Sequence, residues 1–172
     1  MLVEKVYIGV DPGREGFISI VRGDTWQHYE MPKIGKLVDV NELNKIFFEI
    51  SQYRDILVGI EDVHAIYGSS AGSTFSFGYI CGIIEGIVVA NNIPLIKIQP
   101  KKWQKEMWEG VPLHKKTSST GKAQVTDTKA TSLVAVKRLY PMMDLRRNER
   151  CRMPDNNKVD SILIATYLKR NY

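Results

Sequence analysis

At 172 residues, with 44% hydrophobic and 25% charged residues, the chain suits a single domain (1–172) with one sizeable core. Its start, Met1-Leu2-Val3-Glu4-Lys5, lacks the basic end and apolar block of a signal peptide, and no apolar run is read as reaching the roughly 18 residues of a membrane span, so an intracellular protein without a membrane partner is expected. Cys81 and Cys151 lie too far apart in sequence and context for a disulfide framework or a zinc pattern, Cys81 reading as core, and the net charge of +5 permits a polyanionic partner without requiring one.

Taken in order, Val3 to Val10, Phe17 to Arg22 and Thr25 to Met31 read as three strands of an antiparallel meander, with Arg22-Gly23-Asp24 as a short turn. The first strand ends on Asp11, and Pro12 and Gly13 turn the chain at once. A carboxylate at that strand end is held rigidly where a divalent metal and a phosphate can reach it, or it simply opens an Asx-type turn. Pro32 to Asp39 reads as a loop, and Val40 to Tyr53 as an amphipathic helix with Leu43, Ile46, Phe47 and Ile50 on one face. Ile56 to Ile60 suits a strand buried on both faces and ends in Glu61-Asp62. Neighbouring strand residues face opposite ways, so one of these two acids can share a site with Asp11, and Glu61 is the choice.

Tyr67 to Thr74 is a small-residue loop without the Gly-Lys-Ser/Thr of a nucleotide-binding loop, so no nucleotide cofactor is expected. Thr74 to Asn91 reads as a long helix in which Gly78, Gly82, Gly86 and Ala90 fall on one face. Glycines inside a helix cost about 0.8 to 1 kcal/mol each against alanine, so close packing on the sheet or on a partner helix should compensate. Pro94 to Ile98 supplies a fifth strand, reached by a crossover and parallel to the fourth.

From Lys97 to Lys122 seven lysines stand against two glutamates, an excess equal to the net charge of the whole chain. Trp103 and Trp108 are interleaved with Lys101, Lys102 and Lys105, and Thr117 to Gly121, between Lys115, Lys116 and Lys122, reads as mobile. Such a segment fits contact with a nucleic-acid backbone, although Trp103 also suits a core anchor. Asp127 to Tyr140 reads as a helix with Lys129 near its start, Arg146 to Arg152 as a second basic cluster, and about Lys158 to Arg170 as a last core helix with Asp160 in its first turn. Asp160 there either complements the helix dipole or joins Asp11 and Glu61 in an oxygen-rich set that suits magnesium.

The chain resembles the RuvC-type Holliday junction resolvases, in particular the divergent kind found in phages and mobile elements. The resemblance runs through Gly9-Val10-Asp11-Pro12-Gly13, Ile60-Glu61, Phe75 to Gly82 with Gly86 and Ala90, Pro100 to Lys105, Lys129 with Ser132 and Ala135, and Val159 to Ala165. It implies an α/β, RNase H-like fold: a mixed five-stranded sheet, three strands antiparallel and two parallel, with helices on both faces. It further implies a homodimer in a bacterial or phage-infected cytoplasm, acting in DNA recombination and repair. The expected reaction is magnesium-dependent cleavage of four-way DNA junctions, with manganese as a substitute, giving paired nicks with 5′-phosphate and 3′-hydroxyl ends.

Asp11, Glu61 and Asp160 match three members of the family's acidic tetrad. Where the family carries Asp or His three residues before the last acid, this chain has Asn157. Either Asn157 or the nearby Asp155 then completes the set, with a small preference for Asp155. Lys105 and Lys129 fall near the family's phosphate-facing lysines. His64 lies where an aromatic near the junction centre is expected, with Tyr67 as a substitute. Two other readings stay open: a general debranching nuclease of the same fold, and a non-catalytic junction-binding module. An actin-like ATPase would need a duplicated domain for which the chain is too short.

Overall fold

The computed structural model describes residues 4–62, 70–118 and 120–172. Strands β1 (Val6–Asp11), β2 (Phe17–Arg22) and β3 (Thr25–Glu30) form the expected meander, closed between β2 and β3 by Gly23-Asp24 with Gly23 at φ 54°. The segment read as a loop contains a short hairpin, β4 (Lys33–Ile34) with β5 (Leu37–Val38), made possible by Gly35 at φ 60°. Asp39 then caps α1 (Val40–Ile50) by accepting from the Asn41 and Glu42 amides. The helix stops three residues short of the expected Tyr53, its carbonyls met by the Ser51, Gln52 and Tyr53 amides.

Strand β6 (Ile56–Glu61) pairs parallel with β1, and after α2 (Ala71–Ala90) β7 (Leu95–Ile98) pairs parallel with β6. The sheet order is β3-β2-β1-β6-β7, so the mixed five-stranded sheet is as the sequence predicts. The basic segment is more ordered than expected. It holds α3 (Pro100–Met107) and a hairpin of β8 (Lys115–Thr117) with β9 (Gln124–Thr126), closed by bonds between Ser118 and Ala123 and between Gly121 and Ser118. The stretch read as mobile is thus largely the turn of a paired ribbon. Helices α4 (Thr128–Leu139) and α5 (Asn156–Asn171) follow, capped by Asp127 and Asp155.

The period of two along β1 and β6 divides the core. Val6, Ile8 and Val10 with Ile56, Val58 and Ile60 meet α1 and α2, whereas Leu57 joins Trp103, Met107, Ala135, Val136 and the apolar side of α5 on the opposite face. Asp11 and Glu61 share the parity of Leu57, so both strand ends present their acid to the α5 side. Helix α5 lies hard against β1: a Cβ on Gly9 would collide with the Ser161 carbonyl and the Ala165 amide. That close approach brings the first turn of α5 to the end of β1.

Helix α2 departs from expectation. Gly78, Gly82 and Gly86 are exposed, with open space where a Cβ would stand, and Phe75, Tyr79 and Val89 are exposed at 74%, 56% and 63%. The stripe therefore turns away from the sheet, so packing on the sheet is not what offsets its glycines. With Glu85 as its only charge, α2 also has the length and composition of a membrane span, contrary to the expected absence of such a run, and only 22% of its most apolar window is buried. Cys81, read as core, is half-buried on this helix.

Candidate active site

Asp11 and Glu61 directly follow the paired residues Val10 and Ile60, so the two carboxylates end adjacent parallel strands. Asp160 reaches them from α5. Burial pushes the Asp11 carboxyl well above the usual carboxylate range, and the charges of Asp160, Glu61 and Asp155 push it further. Burial also raises Glu61, against a hydrogen bond from Trp103 that lowers it. Asp160 rises to about 7 through burial and the charge of Glu61, opposed by a hydrogen bond from Ser132 and by Lys129. Each acid nevertheless keeps an edge open to solvent. Three like-charged, hard oxygen donors gathered at a water-accessible edge repel one another, and a divalent cation relieves that repulsion. Carboxylate oxygens are the donor type that magnesium and manganese take. Among the described residues no three His, Cys, Asp or Glu side chains are placed so as to hold a metal ion together; Glu61 accepts from the Trp103 indole at 3.1 Å.

The two candidates for a fourth ligand are held differently. Asp155 accepts from the Asn157 and Lys158 amides through Oδ1, at 2.9 and 3.2 Å, and from Arg147 Nε through Oδ2, at 2.7 Å. Both of its oxygens are committed to the helix cap and the guanidinium. Asn157 gives its Nδ2 to the Glu15 carbonyl at 2.8 Å, which leaves the amide oxygen as its available donor atom. The geometry thus shifts the preference from Asp155 to Asn157. Sequence reasoning did not anticipate Arg147, which also binds Glu30 at 2.8 Å and the Glu15 carbonyl at 2.7 Å and lies 4.8 Å over the Phe17 ring. It fastens the turn after β1, the end of β3 and the start of α5 together.

Lys129, in the first turn of α4, is the lysine whose charge acts on both Asp11 and Asp160. Lys105 instead lies on the outer face of α3 with Lys101 and Lys102, while Trp103 and Met107 face inward. The hairpin carries Lys115, Lys116 and Lys122, all exposed. Its base is tied to α4 by the His114 amide on Thr131 Oγ1 at 3.1 Å and by the Asp127 amide on the His114 carbonyl at 2.8 Å. A basic ribbon thus stands over the turn that bears Lys129. His64 and Tyr67 lie outside the described residues.

No family model and no curated protein matches the chain. Among solved structures, RuvC of Thermus thermophilus superimposes with a TM-score of 0.57 at 15% identity, over 96% of this chain and 95% of that one. The fold is RNase H-like. The same protein in complex with its Holliday junction substrate gives a TM-score of 0.56 at 12% identity, over the same shares of the two chains. The yeast mitochondrial Holliday junction resolvase Ydc2 gives 0.52 at 13% identity, over 95% of this chain and 77% of its own.

Proposed function

We propose that this protein is an intracellular, homodimeric, metal-dependent endonuclease of the phage or mobile-element kind, which resolves four-way DNA junctions. The observation that carries the reading is the set of largely buried, mutually repelling acids, Asp11, Glu61 and Asp160, at the ends of two parallel strands and the start of α5. The likeness in fold to two junction resolvases over nearly the whole chain supports the substrate class.

Asp11, Glu61 and Asp160, with the Asn157 amide oxygen, would hold magnesium, or manganese in its place. Bound there, the metal supplies a Lewis acid that makes water a nucleophile near neutral pH and balances charge on the departing oxygen. Lys129 meets the phosphoryl oxygens as their charge grows. Water adds to phosphorus and the P–O3′ bond breaks, leaving a 5′-phosphate and a 3′-hydroxyl. The lysines on α3 and on the β8–β9 hairpin hold the arms by their backbones. A two-fold substrate suits a two-fold dimer, and the outward glycine stripe of α2, flanked by Phe75, Tyr79 and Val89, is the face assigned to it.

The test is cleavage of an immobile four-way junction beside a matched fork and a linear duplex, with magnesium or with EDTA. Paired, magnesium-dependent nicks in the junction support the proposal. Tight binding without nicks would favour an architectural module, and equal cutting of every branched substrate a general debranching nuclease. Asp11→Asn should abolish nicking while junction binding is kept or improved, because a charge facing phosphate is lost; weakened binding in a gel-shift titration would count against the site.

A further inference from the structure

Between α4 and α5 the chain carries a second basic segment, Arg146 to Arg152, of which only Arg147 reaches the surroundings of the acids. Its two ends are clipped together. The Asp155 amide donates to the Leu145 carbonyl at 2.8 Å, Arg146 and Pro154 form an antiparallel bridge, and Lys158 Nζ donates to the Arg146 carbonyl at 3.1 Å. Within the loop the Asn148 side chain accepts from the Arg150 amide at 3.1 Å, and the Asn148 carbonyl from the Cys151 amide at 3.1 Å. The loop so held closes a cleft of about 460 Å³ against the last turn of α4, lined by Lys137, Asp144, Arg146 and Arg152 beside Met143 and Leu145. Asp144 is the acid of that lining, and Arg146 takes both of its oxygens, at 2.9 and 2.8 Å. Lys137 and Arg152 are exposed and make no ion pair among the described residues. Lys158 adds a buried positive charge beneath them, and Glu149 acts on Arg146 from outside the cleft. Four cations thus stand against two acids. Like charges converging on a cleft repel, and an anion that enters relieves them.

We infer that this cleft seats one backbone phosphate of a DNA arm, at a distance from the phosphate to be cut, with Lys137 and Arg152 as its ligands. The inference rests on the nucleic-acid part of the proposed function and deepens it. A guanidinium fork beside an ammonium point charge suits a phosphate, whose several oxygens take both. The place fits as well. Lys137 lies eight residues along α4 from Lys129, about 12 Å at 1.5 Å per residue, or roughly three to four base-pair steps of a duplex. The loop is also fastened, through Arg147, to Glu30 at the end of the edge strand β3, whereas α3 with its lysines follows the opposite edge strand β7. The acids end β1 and β6 in the middle of the sheet, so this loop supplies cations on the side that α3 does not. A clipped loop pays little entropy when it binds, and a phosphate contact fixes where the duplex lies without reading its sequence.

The experiment measures binding of an immobile four-way junction and of a linear duplex by fluorescence anisotropy, in EDTA and over a range of sodium chloride. It compares the full chain with the double variant Lys137→Ala/Arg152→Ala, with Arg152→Lys, and with Lys45→Ala, which removes an exposed lysine from α1 on the other face of the sheet. One neutralised phosphate contributes about 0.9 to the slope of log affinity against log salt, or about eightfold in affinity at 0.1 M. The double variant should lose that much per bound protomer, alike on arms of different sequence, while Arg152→Lys keeps most of the slope and Lys45→Ala matches the parent. A neutral methylphosphonate moved along one arm should cost the parent affinity at a position away from the branch and cost the double variant nothing there. Both residues are exposed, so the variants should melt with the parent. A double variant with the parental slope, or one that loses no more than Lys45→Ala, overturns the inference and leaves junction cleavage standing. A parent that binds junctions without nicking them removes the resolvase reading alone, and the slopes still decide the cleft. A parent with no salt-dependent affinity for either DNA removes both.

Discussion

Burial and the charge of Glu61 raise Asp160 from an ordinary 3.8 to about 7, so between those values the folded chain keeps a proton that the unfolded chain has released. The stability tied to that proton is complete below 3.8 and is lost as the pH rises through about 7. Asp160→Asn should therefore gain on the parent at pH 8 in EDTA by about 2 to 4 kcal/mol, with the gap clearly narrower at pH 5 and closed only near 3.8. Urea unfolding at the two pH values checks this, and an equal gap at both would refute it. His28 acts in the opposite sense. Burial lowers it from 6.5 to about 4, so it adds stability that is full above 6.5 and is lost as the pH falls through 4. Comparing variant with parent at each pH cancels the histidine.

At the scale of elements, Gly9 joins fold to site. Its missing Cβ lets α5 cross β1 at backbone contact, which delivers Asp160 to Asp11. Gly9→Ala should cost about 2 to 4 kcal/mol, because the clash is with backbone on both sides, and should weaken manganese binding in calorimetry. Unchanged metal affinity in a destabilised but folded variant would separate packing from site assembly. The three acids were legible in the sequence because each closes a strand or opens a helix whose period is plain. The parity of β6 allowed one of Glu61 and Asp62 without deciding which, and the structure turns Glu61 to the side of Asp11. Trp103 is the core anchor that the sequence allowed, but its bond to Glu61 was not legible, because which way the indole points is set by the packing of α3 on α5. The engagement of Asp155 depends on Arg147, eight residues earlier across an irregular loop, a contact that no local pattern announces.

For the whole molecule, the exposed face of α2 and the two basic elements beyond the acids lie on different elements, so under the proposed function the DNA-facing and self-facing surfaces would be separate. Sedimentation at micromolar concentration should give a dimer, and Gly82→Glu should give a folded monomer that nicks junctions poorly. A monomeric parent would remove α2 as the interface. The three tryptophans carry an optical consequence. The Trp103 N–H ends on Glu61 and the Trp108 N–H on Ser132, while Trp26 lies on β3 against His28 and Tyr140. Indole emission responds to charge at the ring nitrogen, so under the proposed function the chain's own fluorescence should change on adding magnesium, without any dye. The change should survive Trp26→Phe and shrink in Trp103→Phe, and an identical signal from both variants would mean that the emission reads something other than the site.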